Sequence, residues 1–112
     1  MAATVLVAPV SAGVEEVRAM LRDLVEVAAA ARVSAPEVRT WAVLGELAIT
    51  DDRPENDRVV DHDRVGRQAV RLAVDKTVCV GQSRAVRALH QGAVMEGSWG
   101  DEVRLVASAD EA

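Results

Sequence analysis

The sequence has no phenylalanine or tyrosine, and Trp41 and Trp99 are its only aromatic residues. A core without other aromatic rings must be built from Val, Ala and Leu, which is typical of aliphatic helices packed on a sheet in layered α/β folds. The single cysteine, Cys79, excludes an intramolecular disulfide. The net charge is -5, and Lys and Arg are scattered rather than clustered. Nucleic acids and anionic membranes are therefore not expected partners, because phosphate binding requires concentrated positive charge.

The amino-terminal residues lack the features of a signal peptide or a membrane span. Residues 1–11 are apolar, but no basic region precedes them and they are too few to cross a bilayer. The sequence therefore predicts a cytoplasmic protein. Its 112 residues, half of them hydrophobic, are enough for one domain with one core and too few for two.

The hydrophobic pattern predicts alternating strands and helices. Short, continuously apolar runs indicate buried strands at residues 4–8, 40–44, 77–80 and 103–106. Apolar residues at three- and four-residue spacing predict helices over residues 14–31, 62–73 and 84–96. The apolar stripe of the first helix centres on Leu24. We expect a single α/β domain with a three-layer αβα Rossmann-like fold, whose mainly parallel sheet has about four strands and carries helices on both faces.

Two segments between or after these elements are acidic. Residues 48–61 are rich in Asp and Glu and predict a solvated, mobile loop, with Asp61 as the N-cap of the second helix. Residues 107–112 are predicted to form an acidic tail. In parallel α/β sheets, ligands bind beyond the carboxyl ends of the strands, so the predicted binding edge comprises residues 8–13, 45–47, 81–83 and 107–108.

Several motifs follow one another in the order of a known family. The run W-A-V-L-G-E-L (41–47) precedes H-D-R-V-G (62–66), then V-C-V-G-Q-S-R-A-V-R-A-L-H-Q-G-A (78–93) and E-G-S-W-G (96–100). In order and spacing, residues 39–106 resemble the C-terminal domain of Mur ligases, in particular the actinobacterial members that add D-alanyl-D-alanine. The resemblance implies a place in peptidoglycan precursor synthesis.

The chain departs from the family pattern in ways that bear on activity. The family motif D-A-Y-N-A-N-P falls on residues 8–14, where only Ala12 agrees. The 112 residues contain no G-x-x-x-x-G-K-[ST] phosphate loop, and family members hold their ATPase and UDP-substrate domains elsewhere. We therefore expect no ligation by this chain alone, and a need for ATP and magnesium only if it assembles with the missing ligase domains.

Four polar residues are candidate ligand contacts: Ser11, Glu46, His62 and Ser83. Ser11, Glu46 and Ser83 lie at the predicted binding edge, and His62 is expected to orient the second helix against Glu46 or a ligand. The family places an acid at the position of Glu46 and a histidine at that of His62. Each also has a simpler structural explanation, because Glu46 can be a solvated carboxylate and His62 a locally bonded helix residue. Ser83 is expected to N-cap the third helix, whose free N–H groups could also hold an anion.

No catalytic or metal-binding residue is predicted. Cys79 is expected to be an inert core thiol and His90 a half-buried packing residue, and these residue types do not occur at metal-ligand spacing. Residues 81–85 approach the G-x-S-x-G elbow of serine hydrolases. That reading is disfavoured, because no Asp followed by a His lies downstream.

Three functions remain open at this point. The chain can be a non-catalytic Mur-ligase-like module that binds a second copy of itself or another protein of cell-wall synthesis. It can instead be a ligase part that acts in trans with separate ATPase and UDP-substrate domains. It can also be a module that binds a small ligand or nucleotide at the strand ends.

Overall fold

Three parallel strands and three helices alternate in a computed structural model that describes residues 6–7, 12–48, 54–97 and 102–108. The elements are α1 (Val14–Ala31), β1 (Trp41–Leu44), α2 (Glu55–Arg71), β2 (Lys76–Val80), α3 (Arg84–Met95) and β3 (Val103–Val106). The predicted α/β class and parallel sheet are confirmed, and the architecture is consistent with a Rossmann-like αβα domain. The predicted strand at residues 4–8 and the predicted tail at 107–112 lie largely outside the described residues.

The sheet has the order β1-β2-β3, with Ala42, Thr77 and Val103 side by side in register. The connections β1-α2-β2 and β2-α3-β3 each lead to the next strand in the same direction across the sheet. Because such connections are right-handed, α2 and α3 lie on the same face of the sheet. The three aligned residues are buried beneath this helical layer. On the opposite face of β1, Trp41 and Val43 are 54% and 57% exposed.

Helix α1 has the bounds that its aliphatic spacing predicts. Its buried residues are Val17, Leu21 and Ala28, whereas Leu24 is only partly buried against the same core. The buried stripe therefore centres on Leu21 and not on Leu24 as predicted. Within the described residues, no helix is long and apolar enough to cross a membrane.

Helix α2 begins two turns earlier than predicted, at Glu55 directly after Pro54. The prediction of a loop over residues 55–61 is therefore wrong, and Asp61 lies inside the helix instead of capping it. Acidic side chains in the first turn stabilise a helix through its dipole, and Glu55 and Asp57 occupy that turn. The sequence pattern concealed these turns because their buried face carries the polar residues Asp61 and His62.

Helices α2 and α3 pack closely through two glycines. A side chain on Gly66 would collide with the backbone carbonyl of Leu89, and one on Gly92 would collide with that of Asp63. This close approach holds α2 against α3, and at their first turns Arg84 Nη1 lies 3.3 Å from Glu55 Oε2. The two helices thereby form two walls of the site described next.

Candidate functional site

A cavity of about 500 Å³ opens at the carboxyl edge of the sheet. Its walls are the loop after β1, the amino-terminal half of α2 and the first turn of α3. Three of the four predicted contacts, Glu46, His62 and Ser83, line this cavity together. The fourth, Ser11, lies outside the described residues. The structure therefore brings together side chains that are 16 and 21 positions apart in the sequence, at the edge where ligands of such folds bind.

His62 is the most deeply buried polar residue of the cavity wall, with 1% of its surface exposed. Its Nε2 accepts a hydrogen bond from the N–H of Leu47 at 3.0 Å. Its Nδ1 lies 2.7 Å from the carbonyl oxygen of Arg58, one turn earlier in α2. Because the first partner is a donor and the second an acceptor, the ring is the neutral tautomer with its proton on Nδ1. Both ring nitrogens are thus engaged by backbone groups, which makes His62 a brace between α2 and the loop after β1.

The charged side chains of the cavity wall balance in sign. Glu46 and Glu55 contribute carboxylates, while Arg58 and Arg84 contribute guanidinium groups. Arg84 Nη1 lies 3.3 Å from Glu55 Oε2, with both side chains more than half exposed. An ion pair this exposed is weak and easily exchanged, so a ligand can compete for either partner.

Ser83 caps α3 as predicted. Its hydroxyl oxygen accepts a hydrogen bond from the N–H of Val86 at 3.2 Å. The preceding Gly81 has a φ of 135°, a left-handed conformation that side chains rarely tolerate, and its N–H donates to the carbonyl of Val106 at 2.9 Å. The turn from β2 into α3 is thereby fixed, and the engaged Ser83 hydroxyl agrees with a cap rather than a nucleophile.

The predicted buried thiol is confirmed. Cys79 lies on β2 with none of its surface exposed, and burial raises the pKa of its thiol to about 12. His90 is half-buried on α3, as predicted. Among the described residues, no group of three His, Cys, Asp or Glu side chains is placed to hold a metal ion.

Comparison with curated proteins returns a consistent set of relatives. The chain is 54% identical over 69 residues to the UDP-N-acetylmuramoyl-tripeptide–D-alanyl-D-alanine ligase of Mycobacterium leprae (strain TN), a match covering 62% of this chain and 13% of the relative. Enzymes of the same name from Mycobacterium bovis (strain ATCC BAA-935 / AF2122/97) and Mycobacterium tuberculosis (strain ATCC 25618 / H37Rv) are 52% identical over 62 residues, or 55% of this chain and 11% of each relative. The matched segment is homologous to Mur ligases.

The chain spans only 11% to 13% of the length of these ligases. No protein-family model matches the chain. No solved structure matches it either.

Sequence reasoning missed three charged residues of the cavity, namely Glu55, Arg58 and Arg84. Two of them had a usable signal. Arg84 directly follows the capping serine. Arg58 lies four residues before His62, and this spacing puts Arg58 and His62 on one face of a helix. The signal for Arg58 was hidden because residues 55–61 were interpreted as a loop.

Proposed function

We propose that this chain is a Mur-ligase-like binding module of peptidoglycan precursor synthesis, which holds a small charged ligand in the carboxyl-edge cavity and does not ligate by itself. The observation that carries the proposal is the division of roles within the cavity. The histidine is engaged by backbone groups on both ring nitrogens, whereas the carboxylates of Glu46 and Glu55 and the guanidinium group of Arg84 are exposed at the cavity wall.

This division favours binding over catalysis. Acid–base catalysis needs a side chain with a free site for a proton near the substrate, and both nitrogens of His62 are occupied. The cavity serine is engaged as a helix cap. Paired charges of both signs, by contrast, suit recognition of a ligand that itself carries both signs, because each charged end finds a charge-assisted hydrogen bond.

The names of the relatives supply a ligand of that kind. D-alanyl-D-alanine, which appears in each name, has an ammonium group at one end and a carboxylate at the other. Glu46 or Glu55 would receive the ammonium, and Arg84 at the start of α3 would receive the carboxylate. The ATP-dependent step would then come from separate ATPase and UDP-substrate domains acting with this module in trans.

Titration of the whole chain with D-alanyl-D-alanine, followed by amide NMR, tests this proposal. Shifts should concentrate at Glu46, Ser83 and Arg84. The variant Arg84→Gln should weaken binding by about fivefold or more, since it removes a charge-assisted hydrogen bond. The variant Arg87→Gln, on an exposed position of the same helix, is the matched control and should bind normally. An absence of shifts at millimolar dipeptide, or equal loss in both variants, would refute the proposal.

A second candidate function, association with another copy or with another cell-wall synthesis protein, is favoured by the exposed apolar face of β1. Trp41 and Val43 lie on that face and are each more than half exposed. Sedimentation equilibrium of the wild type and of Val43→Thr tests self-association. A monomer at every concentration, with no partner retained from the native host, would contradict this candidate.

A further inference from the structure

The loop after β1 has two backbone anchors among the described residues. The N–H of Leu47 donates to His62 Nε2 at 3.0 Å, and the N–H of Ala48 donates to the carbonyl of Ala12 at 3.0 Å. Glu46 lies immediately before these anchors and is exposed at the cavity wall. The position of its carboxylate therefore depends on whether Leu47 stays bonded to the imidazole.

The bond to Leu47 exists only for a neutral ring. Histidine is the side chain that ordinarily changes charge between about pH 5 and 8. A protonated imidazole carries N–H groups on both nitrogens, so its Nε2–H would face the N–H of Leu47. Two donors cannot bond each other, and a buried donor left without an acceptor is costly. Protonation of His62 thus removes the anchor at Leu47 while leaving the bond to the Arg58 carbonyl intact.

Charged groups of both signs surround the cavity that the ring lines. Glu46 on the loop and Glu55 on α2 contribute carboxylates, and the buried Asp61 precedes His62 in α2. Arg58 on α2 and Arg84 on α3 contribute guanidinium groups. The inference therefore rests on the hydrogen bonds of the two ring nitrogens.

We infer that His62 is a positioning residue of the cavity: its neutral ring holds the loop 45–48 at Leu47, and its protonation releases the loop at that point and Glu46 with it, while the bond from Ala48 to Ala12 remains. The role of Glu46 toward a ligand rests on the proposed function, but release of the loop does not. A core histidine serving the stability of α2 alone would need no partner on the loop. His62 and Leu47 are 15 residues apart in the sequence, so their hydrogen bond links α2 to the loop that forms another part of the cavity wall.

NMR on the whole chain without ligand tests this inference. At about pH 7.5 the ring should show the tautomer protonated on Nδ1, and the amide of Leu47 should be protected from exchange. As the pH is lowered, the protection factor of Leu47 should fall by about tenfold or more, in step with ring protonation. Amides of β2, such as those of Val78 and Cys79, should remain protected. The inference would be overturned if all these amides lost protection together, or if the protection of the Leu47 amide did not change when the ring is protonated.

Two variants separate positioning from general stability. His62→Gln retains a side-chain acceptor without a titrating ring, so it should keep Leu47 protected and abolish the pH dependence. His62→Ala should lose the protection at every pH. His90→Gln on α3 is the control and should behave as the wild type. If His62→Gln does not fold, the pH titration of the Leu47 amide in the wild type is sufficient to test the inference. Failure of D-alanyl-D-alanine to bind would refute the proposed function, but it would not change these loop measurements.

Discussion

Thr40 and Asp75 join the starts of β1 and β2 through reciprocal hydrogen bonds. The N–H of Thr40 donates to Asp75 Oδ2 at 2.7 Å, and the N–H of Asp75 donates to Thr40 Oγ1 at 2.9 Å. The threonine hydroxyl also donates to the same carboxylate oxygen at 3.0 Å. These hydrogen bonds tie β1 to β2 at the amino edge of the sheet, opposite the edge that carries the cavity.

Replacement of Thr40 by Val should destabilise the fold by about 1–3 kcal/mol. The substitution preserves shape but deprives the Asp75 N–H of its acceptor, and Thr40 is only 4% exposed. Urea unfolding of Thr40→Val measures the loss. Thr40→Ser keeps the hydroxyl and should retain more stability than the valine variant. Equal stability of Thr40→Val and wild type would mean that these hydrogen bonds contribute nothing.

A second prediction separates two leucines of α1. Leu21→Ala should cost about 2–5 kcal/mol, because Leu21 is 4% exposed and belongs to the core. Leu24→Ala should cost less, since Leu24 is only partly buried. Denaturant melts of the two variants, compared with Ala29→Ser on the exposed side of the same helix, give the order directly. A larger loss of stability for Leu24→Ala than for Leu21→Ala would mean that the buried stripe centres on Leu24, as the sequence pattern predicted.

These leucines illustrate how far the sequence predicts the fold. Aliphatic spacing located α1 correctly, since a regular apolar stripe can only be helical. It did not locate the centre of the stripe, because burial depends on how α1 sits against α2, and no residue of α1 encodes that alone. The first turns of α2 were missed for the opposite reason, since their buried face is polar at Asp61 and His62.

The candidate site was predictable to a similar degree. Glu46 and Ser83 follow strands whose carboxyl ends meet at one edge of a parallel sheet, so their convergence follows from the strand assignment. His62 was expected to face Glu46 or a ligand, but its two backbone partners were not predicted, because the bond from Leu47 depends on the path of the loop after β1. The arginines that border the cavity were predictable only in part. Arg84 directly follows the capping serine, but Arg58 lies in the first turns of α2, whose polar buried face hid the helix.

Cys79 should resist thiol reagents in the folded protein. Burial raises the pKa of its thiol to about 12, so at pH 8 only about one molecule in ten thousand carries the reactive thiolate. Ellman's reagent at pH 8 should label no thiol in native buffer and one in denaturing urea. Rapid labelling of the native protein would show that β2 opens to solvent more readily than its burial implies.

The last prediction concerns the pH dependence of the contact between α2 and the end of α3. Glu96 receives a hydrogen bond from Arg71 Nε at 2.9 Å and lies 3.5 Å from Arg67 Nη1. The hydrogen bond from Arg71 is the main cause that holds the pKa of the Glu96 carboxyl below its usual value, and Arg67 adds to it.

A carboxyl whose pKa is lower in the folded state stabilises the fold above its unfolded pKa, and that stabilisation is lost as the pH falls through the folded value. Urea midpoints measured from neutral pH down through the acid range should therefore decline less steeply for Glu96→Gln than for the wild type. Glu26→Gln, at an exposed position of α1, should leave the pH dependence unchanged. If the urea midpoints of wild type and Glu96→Gln declined in parallel with pH, solvent would screen the two arginines fully. The close packing at Gly66 and Gly92 would then hold α2 against α3 without a contribution from these charges.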